Sequence, residues 1–390
     1  MSASRISATA LLLMASIVVT AVGLEVGLRL LAPRSDFAVT VNTWDRDLGT
    51  RQVPGARGFV VCRDYDIDLV VNSKGLRDRE YPHAKPHGTR RILCLGDSYA
   101  CGYGVEAEDT FPKVLERVLA ASRGQDSRWE VINAGVGSTG TAHHLAYFAK
   151  EGYKYEPDFV VLCFCEANDF WDNAICGLYS LDAGELTKHD APLTGARRIQ
   201  RVTRWIPAYN TLFARSHLLN LVKYRVARFH YRHLAEKAQR MPDEPAGNSA
   251  DDGQDLELTE ALVLALRDTC EACGSRLIMM VVPSPSCEDQ LPETDALVVF
   301  IESESICHVD LLPRFRERIA SGTPCYHVHD RHWNANGHWL AAEVLLDYLQ
   351  RECRLGQGRM GSSSAGDTPV VASEASPKSS ENPLLPPFQK

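Results

Sequence analysis

A serine hydroxyl becomes a useful nucleophile when a base takes its proton and an acid orients that base. Hydrogen-bond donors must also receive the charge that develops on the attacked carbonyl oxygen. Residues suited to these roles occur at four places in this chain. Ser98 stands in Gly96-Asp97-Ser98-Tyr99-Ala100-Cys101-Gly102-Tyr103-Gly104, directly after the mostly apolar run 91–95. A strand that ends at a glycine, with a helix beginning just beyond, would set Ser98 among unpaired N–H groups at the positive end of a helix dipole. The same corner also suits an ordinary turn in which Asp97 or Ser98 is only an N-cap. Asn168 and Asp169 follow the apolar run 159–165, where an asparagine amide is well placed as an oxyanion donor. The glycine-rich segment 133–140 can lend a backbone N–H. Late in the chain, Asp330 and His332 stand two apart, so one loop can present a carboxylate to an imidazole.

The elements that must position these residues follow from hydrophobic patterning. Residues 92–95, 129–133, 159–165 and 276–282 read as strands, with a short one at 326–328; 110–121, 141–151, 258–273 and 338–349 read as helices. Alternation of this kind predicts an α/β chain: a three-layer α/β/α sandwich on a mostly parallel sheet. Active sites in such sheets lie at the carboxyl ends of the strands, where Ser98, Asn168 and the His332 region fall. Residues 35–85, with alternating segments at 58–62 and 66–71, read as a small β-rich collar.

The four pieces, in this order, resemble the SGNH (GDSL-type) hydrolase family over roughly residues 90–350, apart from an insertion at about 175–250, within a catalytic domain expected at 86–355. The first block is Gly-Asp-Ser-x-x-x-Gly-x-Gly at 96–104, the second lies in 133–141, the third is Ala167-Asn168-Asp169, and the last is Asp330-x-His332. The resemblance implies an SGNH-hydrolase or flavodoxin-like sandwich and a Ser98, His332, Asp330 triad. It also implies an oxyanion hole from the Ser98 N–H, a loop N–H at Ser138 and the Asn168 side chain. Tyr99 replaces the leucine of the family name, and Ser138 stands where the second-block glycine is usual. The Asp330-Arg331-His332-Trp333 spacing is one residue shorter than the commoner pattern. It looks like the membrane-anchored bacterial branch that includes the alginate-type polysaccharide O-acetylation proteins.

Each residue also has a plainer reading. His327, His329 and His332 could be read as a metal site, although ligand sets are usually more dispersed, and no metal or other cofactor is expected. Asp97 reads as structural, tying the nucleophile loop, and Asp169 as a rival to Asp330 for the acid. His143, His144 and His338 read as helix-start or surface histidines. Three functions follow. The first is a serine esterase acting on acyl esters, in particular O-acetyl groups of a carbohydrate. The second is an O-acetyltransferase modifying an exported polysaccharide, with export or acyl-transfer partners. The third is a non-catalytic glycan-binding or scaffold protein.

The formal net charge of −8 over 390 residues argues against the whole chain being a nucleic-acid binder. Residues 6–24 are uncharged, largely apolar and long enough to cross a bilayer. We expect an uncleaved anchor at 1–34 with the catalytic domain periplasmic; a signal peptide cleaved after Val19-Thr20-Ala21 is the alternative. Residues 195–240 carry nine Arg and two Lys against the single acid Glu236. They read as a solvated helical hairpin or a cap facing an anionic ligand or membrane. Residues 241–257 read as a polar linker and 356–390 as a disordered tail. Most of the twelve cysteines fit packing roles, with one or two bridges left open; Cys270 and Cys273 have redox or metal spacing.

Overall fold

The computed structural model describes residues 3–31, 37–39, 41–121, 128–193, 216–219, 221, 222, 225, 251–285 and 290–352. In chain order these form α1 (Ala3–Leu31), β1 (Phe37–Val39), β2 (Asn42–Asp45), β3 (Gly49–Gln52), β4 (Arg57–Val61), β5 (Asp66–Val70) and β6 (Thr89–Gly96). There follow α2 (Ser98–Cys101), α3 (Phe111–Ala121), β7 (Arg128–Asn133), α4 (Thr141–Lys150), β8 (Phe159–Cys165), α5 (Asp169–Cys176), β9 (Tyr179–Asp182) and β10 (Glu185–Lys188). The last are α6 (Asp251–Ala272), β11 (Arg276–Val282), α7 (Pro292–Ser303), β12 (Cys307–Asp310), α8 (Leu312–Ala320) and α9 (Ala335–Glu352).

Five strands make one wholly parallel sheet in the order β12-β11-β8-β6-β7. The chain builds outward from β6 to β7 and then crosses to the other side of β6 for β8, β11 and β12. The order reverses between β6 and β8, and a crevice opens at the carboxyl ends of strands at such a point. Gly96 pairs with Cys163 across it, and Ser98 and Asn168 lie just beyond the two strand ends.

Alternation along the strands divides the core between the two faces. Leu93, Leu95, Val160, Leu162, Phe164, Met279 and Val281 pack on one side with residues of α4, α6 and α7. Ile92, Cys94, Val161, Cys163, Ile278 and Met280 pack on the other with α3, α8 and α9. Strands buried on both faces need apolar residues at nearly every position, which is why 159–165 reads as an unbroken apolar run. Each such side chain contributes about 1.5–3 kcal/mol by leaving water.

Three expectations about elements change. Residues 326–328 form no sheet strand; Tyr326 makes a single antiparallel bridge to Trp333. The fifth strand is instead β12, four residues long and half polar, which an edge position tolerates. Helix α6 begins at Asp251, so the second part of the expected linker is helical. Of the basic insertion, only 216–219, 221, 222 and 225 are described beyond residue 193, so the hairpin and cap readings lie outside the described residues, as does the tail 356–390.

Helix α1 is apolar and solvent-facing over Leu11–Leu31, with a mean hydropathy of 2.2, long and apolar enough to cross a membrane. Near its end, Glu25 accepts from Arg29 Nε, Ser216 Oγ and the His217 and Leu218 N–H groups, which ties the start of the 216–219 segment to this helix. Of the pair with redox or metal spacing, Cys270 is buried and Cys273 exposed, and neither forms a disulfide.

Residues 37–70 hold an antiparallel sheet in the order β1-β4-β5 and a β2–β3 hairpin. Ile67 and Leu69 alternate inward on β5, and with Val41 and Val71 they form a small core of their own. This segment contacts the loops at the sheet's carboxyl end. Asn42 Nδ2 donates to Gly137 O (3.1 Å) and Gln52 Nε2 to Gly135 O (3.4 Å). Beyond β5, the buried Asp78 pairs with Lys113 of α3 (3.0 Å) and accepts from the Asn133 N–H (2.7 Å), fixing the end of β7.

Candidate active site

Strand β6 ends on Gly96, where nothing larger fits: an added Cβ would lie 2.7 Å from the Cβ atoms of Ala100 and Cys163. The buried Asp97 then caps the single turn of α2, its Oδ1 accepting from the Tyr99 N–H at 2.8 Å. Ser98 is therefore the first residue of that turn, half-buried at the crevice. Tyr99 and Ala100 point into the core beside it.

The hairpin 325–334 carries the opposite side of the site. Its ends are held by His327 N to His332 O (2.8 Å) and Asn334 N to Cys325 O (3.0 Å). Trp333 is completely buried between Phe111, Phe315, Tyr99 and His338, anchoring the position next to His332. Asn334 then caps α9, its Oδ1 accepting from the Asn336 and Gly337 N–H groups. Arg331 adopts the left-handed conformation (φ 66°), bending the chain between Asp330 and His332.

This bend brings the predicted residues together. Asp330 Oδ2 lies 2.5 Å from His332 Nδ1, and His332 Nε2 lies 2.8 Å from Ser98 Oγ. An ionised carboxylate only accepts, so Nδ1 carries the imidazole proton and Nε2 is left to accept from the Ser98 hydroxyl. Burial pushes the Asp330 carboxyl up, but the hydrogen bond and charge of His332 and the hydroxyl of Tyr65 prevail and hold it below its ordinary value.

The other residues sort themselves by their partners. Asp169 is fully buried and accepts from Thr141 Oγ1 (3.2 Å); burial raises it well above the carboxylate range. It is not the acid bonded to the imidazole. Asp97 accepts from the Tyr99 N–H and from the Asn168 amide, while burial pushes it up to about 6. The Asn168 amide nitrogen thus faces two carboxylates, Asp97 and Asp172 (2.9 Å). Ser138 is exposed on the 133–140 loop with φ 63°, a conformation that glycine adopts freely.

His143, His144 and His338 are all buried, which corrects the surface reading. His144 Nε2 donates to Thr139 Oγ1 (3.1 Å), whose own hydroxyl donates to Val136 O (2.6 Å), bracing the Ser138 loop from below. His338 Nδ1 accepts from the Phe111 N–H (3.2 Å), joining α9 to α3. Burial lowers both His144 and His338 to about 3, so each is neutral near pH 7. Among the described residues no group of three or more His, Cys, Asp or Glu could hold a metal ion. His327 Nε2 donates to Gly104 O (2.9 Å), and His329 Nδ1 donates to Asp64 Oδ1 (2.7 Å).

Three residues at the site carry no local sequence signal. Asp64 and Tyr65 lie on the turn between β4 and β5 and reach the 329–330 backbone and Asp330. Arg77 is buried, and its guanidinium donates to the carbonyls of Cys101, Gly102, Val105 and Asp68. Only the proximity of a segment 265 residues away in sequence reveals the first two.

No protein-family model matches the chain, and no curated protein matches it. Several solved structures are similar at low identity. One is a two-domain esterase active on acetylated mannans, co-crystallised with mannopentaose, at 14% identity over 70% of this chain and 52% of that one, TM-score 0.39. The chain thus matches about half the length of that protein. TesA is 11% identical over 67% of this chain and 98% of its own, TM-score 0.39. A lipolytic protein of the G-D-S-L family from Desulfitobacterium hafniense is 14% identical over 66% and 99%, TM-score 0.34. The chemistry of the site is therefore read from its own geometry.

Proposed function

We propose that this protein is a membrane-anchored serine esterase of the SGNH type, acting outside the cytoplasm on acyl esters, in particular O-acetyl groups of a carbohydrate. The observation that carries this reading is the hydrogen-bonded series Ser98 Oγ, His332 Nε2, His332 Nδ1, Asp330 Oδ2, at 2.8 and 2.5 Å. Ser98 Oγ attacks the ester carbonyl as its proton passes to His332 Nε2, and Asp330 stabilises the imidazolium. The oxyanion takes hydrogen bonds from the Ser98 and Ser138 N–H groups and from Asn168, whose amide then exchanges one carboxylate partner for the substrate oxygen. Collapse expels the alcohol, which takes the proton from His332, and leaves an acyl group on Ser98. Water releases it as the acid; a sugar hydroxyl in place of water makes the protein an O-acetyltransferase, the alternative use of the same acyl-enzyme.

The test is intact-mass detection of an acyl adduct on the full chain treated with a small aryl acetate, with Ser98→Ala alongside. An adduct of one acetyl group, absent from the variant, supports the reading; hydrolysis undiminished in Ser98→Ala overturns it. Adding an acetylated or bare oligosaccharide and weighing the products then separates hydrolysis from transfer.

A further inference from the structure

The turn between β4 and β5 does more than close a hairpin. Its last two residues make four hydrogen bonds to the turn that carries the acid. Asp64 Oδ2 accepts from the backbone N–H groups of His329 (2.7 Å) and Asp330 (2.8 Å), and Asp64 Oδ1 accepts from His329 Nδ1 (2.7 Å). The Tyr65 hydroxyl donates to Asp330 Oδ2 (2.8 Å), the same oxygen that receives His332 Nδ1. The Asp64 side chain is only 9% exposed, and the Tyr65 ring packs against His327 with centroids 5.0 Å apart. Behind them Tyr65 and Tyr103 both pack on the Ile67 and Leu69 core, and Tyr103 lies 5.7 Å from the His332 ring.

These contacts answer a local difficulty. Asp330 and His332 meet across Arg331, which adopts a left-handed conformation that a non-glycine residue rarely takes. Such a turn persists when its surroundings over-determine it. Asp64 binds the two N–H groups just before the bend, and Tyr65 fixes the carboxylate just reached.

We propose that Asp64 and Tyr65 are positioning residues for the acid–base pair, so that the β4–β5 hairpin is a working part of the active site and not a spacer. This rests on the reading of Ser98, His332 and Asp330 as a triad. Tyr65 has a second consequence. A carboxylate that shares its oxygen with a hydroxyl donor is a weaker acceptor for the imidazolium, so removing the hydroxyl strengthens the bond from His332 Nδ1 to Asp330. The other titratable groups facing this pair are Asp97, Tyr99, Tyr103, His327, His338 and the Asp64–His329 pair, which Tyr65→Phe leaves in place, and the Cys62 thiol, which loses its contact with the Tyr65 hydroxyl.

The experiment compares wild type, Tyr65→Phe, Asp64→Asn, Asp64→Ala and Ser98→Ala as full chains in detergent. It measures aryl acetate hydrolysis across pH 5–9, the rate at which a phosphonate probe labels Ser98, and the melting temperature. Tyr65→Phe keeps the ring and its packing, so its melting temperature controls for folding. We expect kcat to fall about tenfold with KM within twofold, since misplacement by a fraction of an ångström is costly to catalysis. The acid limb of the kcat/KM profile should move to higher pH. Asp64→Ala should lose more activity than Asp64→Asn, which keeps one acceptor oxygen. Unchanged kcat and an unmoved acid limb in Tyr65→Phe, with Ser98→Ala dead, overturn the positioning role and leave the triad standing. Activity that survives in Ser98→Ala removes the triad itself. If Asp64→Ala does not fold, the kcat and acid limb of Tyr65→Phe decide alone.

Discussion

The guanidinium of Arg77 donates to the carbonyl of Gly102 at 2.8 Å, four residues beyond Ser98. It also holds the carbonyls of Cys101, Val105 and Asp68, all with the side chain 1% exposed. One cation thus binds the loop after Ser98 to the middle of β5. The Ser98 loop and the Asp330–His332 turn are both gripped from residues 64–77, which approach the sheet's carboxyl end from outside it.

Arg77→Met should therefore destabilise the protein and misplace the loop together. The apolar side chain fills the space but leaves four carbonyls without their donor, at a total cost on the order of 3–5 kcal/mol. A urea midpoint lowered at constant slope measures that loss. Activity per folded molecule should fall as well, and Arg77→Lys, which reaches fewer of the carbonyls, should lie between. A variant as stable and active as wild type would show that the clamp is idle.

Gly104 sits at φ +100°, where an added Cβ would lie 2.8 Å from Trp333 O and from His327 Cδ2. Gly104→Ala must push the 325–334 hairpin away, disturbing the bond between His327 Nε2 and Gly104 O. We expect a loss of about 2–3 kcal/mol and a drop in kcat of at least tenfold, because the same hairpin carries His332. Gly88 is the control: its φ is +72° but nothing lies within 4 Å of an added Cβ. Gly88→Ala should cost only about 1 kcal/mol, with activity intact. Equal effects at the two glycines would refute the steric account.

The strand-and-helix frame was legible because both faces of the central strands are buried, so 159–165 and 276–282 stand out as apolar runs. The Ser98 corner and the Asp330-x-His332 pair were legible because each is a short local motif. What escaped has no local pattern. Strand β12 (Cys307–Asp310) is a short edge strand with alternating polar residues, and its bounds depend on β11 being beside it. His144 and His338 looked like surface residues because burial of a neutral imidazole depends on the helices packed over it. Asp64 and Tyr65 belong to an exposed-looking turn whose partners come from the far end of the chain. Sequence spacing marked the side chains that meet beyond the strand ends; the groups that hold them came from long-range packing.

Ser138 tests the backbone role of its loop. If it lends an N–H and not a hydroxyl, Ser138→Gly should retain activity within about threefold. It should also stabilise the fold by up to about 1 kcal/mol, since φ 63° costs glycine nothing. Ser138→Pro removes the N–H and cannot adopt that φ, so it should abolish acylation of Ser98 by an aryl acetate. Loss of activity in the glycine variant would mean that the hydroxyl itself is needed.

Asp97 predicts a particular pH dependence of stability. Burial raises its carboxyl from 3.8 to about 6 in the fold, despite hydrogen bonds from the Tyr99 N–H and Asn168 that favour ionisation. A group that binds its proton more tightly when folded contributes most to stability in acid. Its contribution falls as pH rises from 3.8 to about 6 and stays low above that. The full span corresponds to about 3 kcal/mol. Asp97→Asn removes the ionisation but keeps an acceptor for the Tyr99 N–H, so its stability relative to wild type should climb between pH 4 and pH 7 and then level. Other acid-labile groups cancel in that difference. Melting curves of the two proteins at half-unit intervals measure it, and a difference that stays flat across the range would show that Asp97 ionises in the fold as easily as in water.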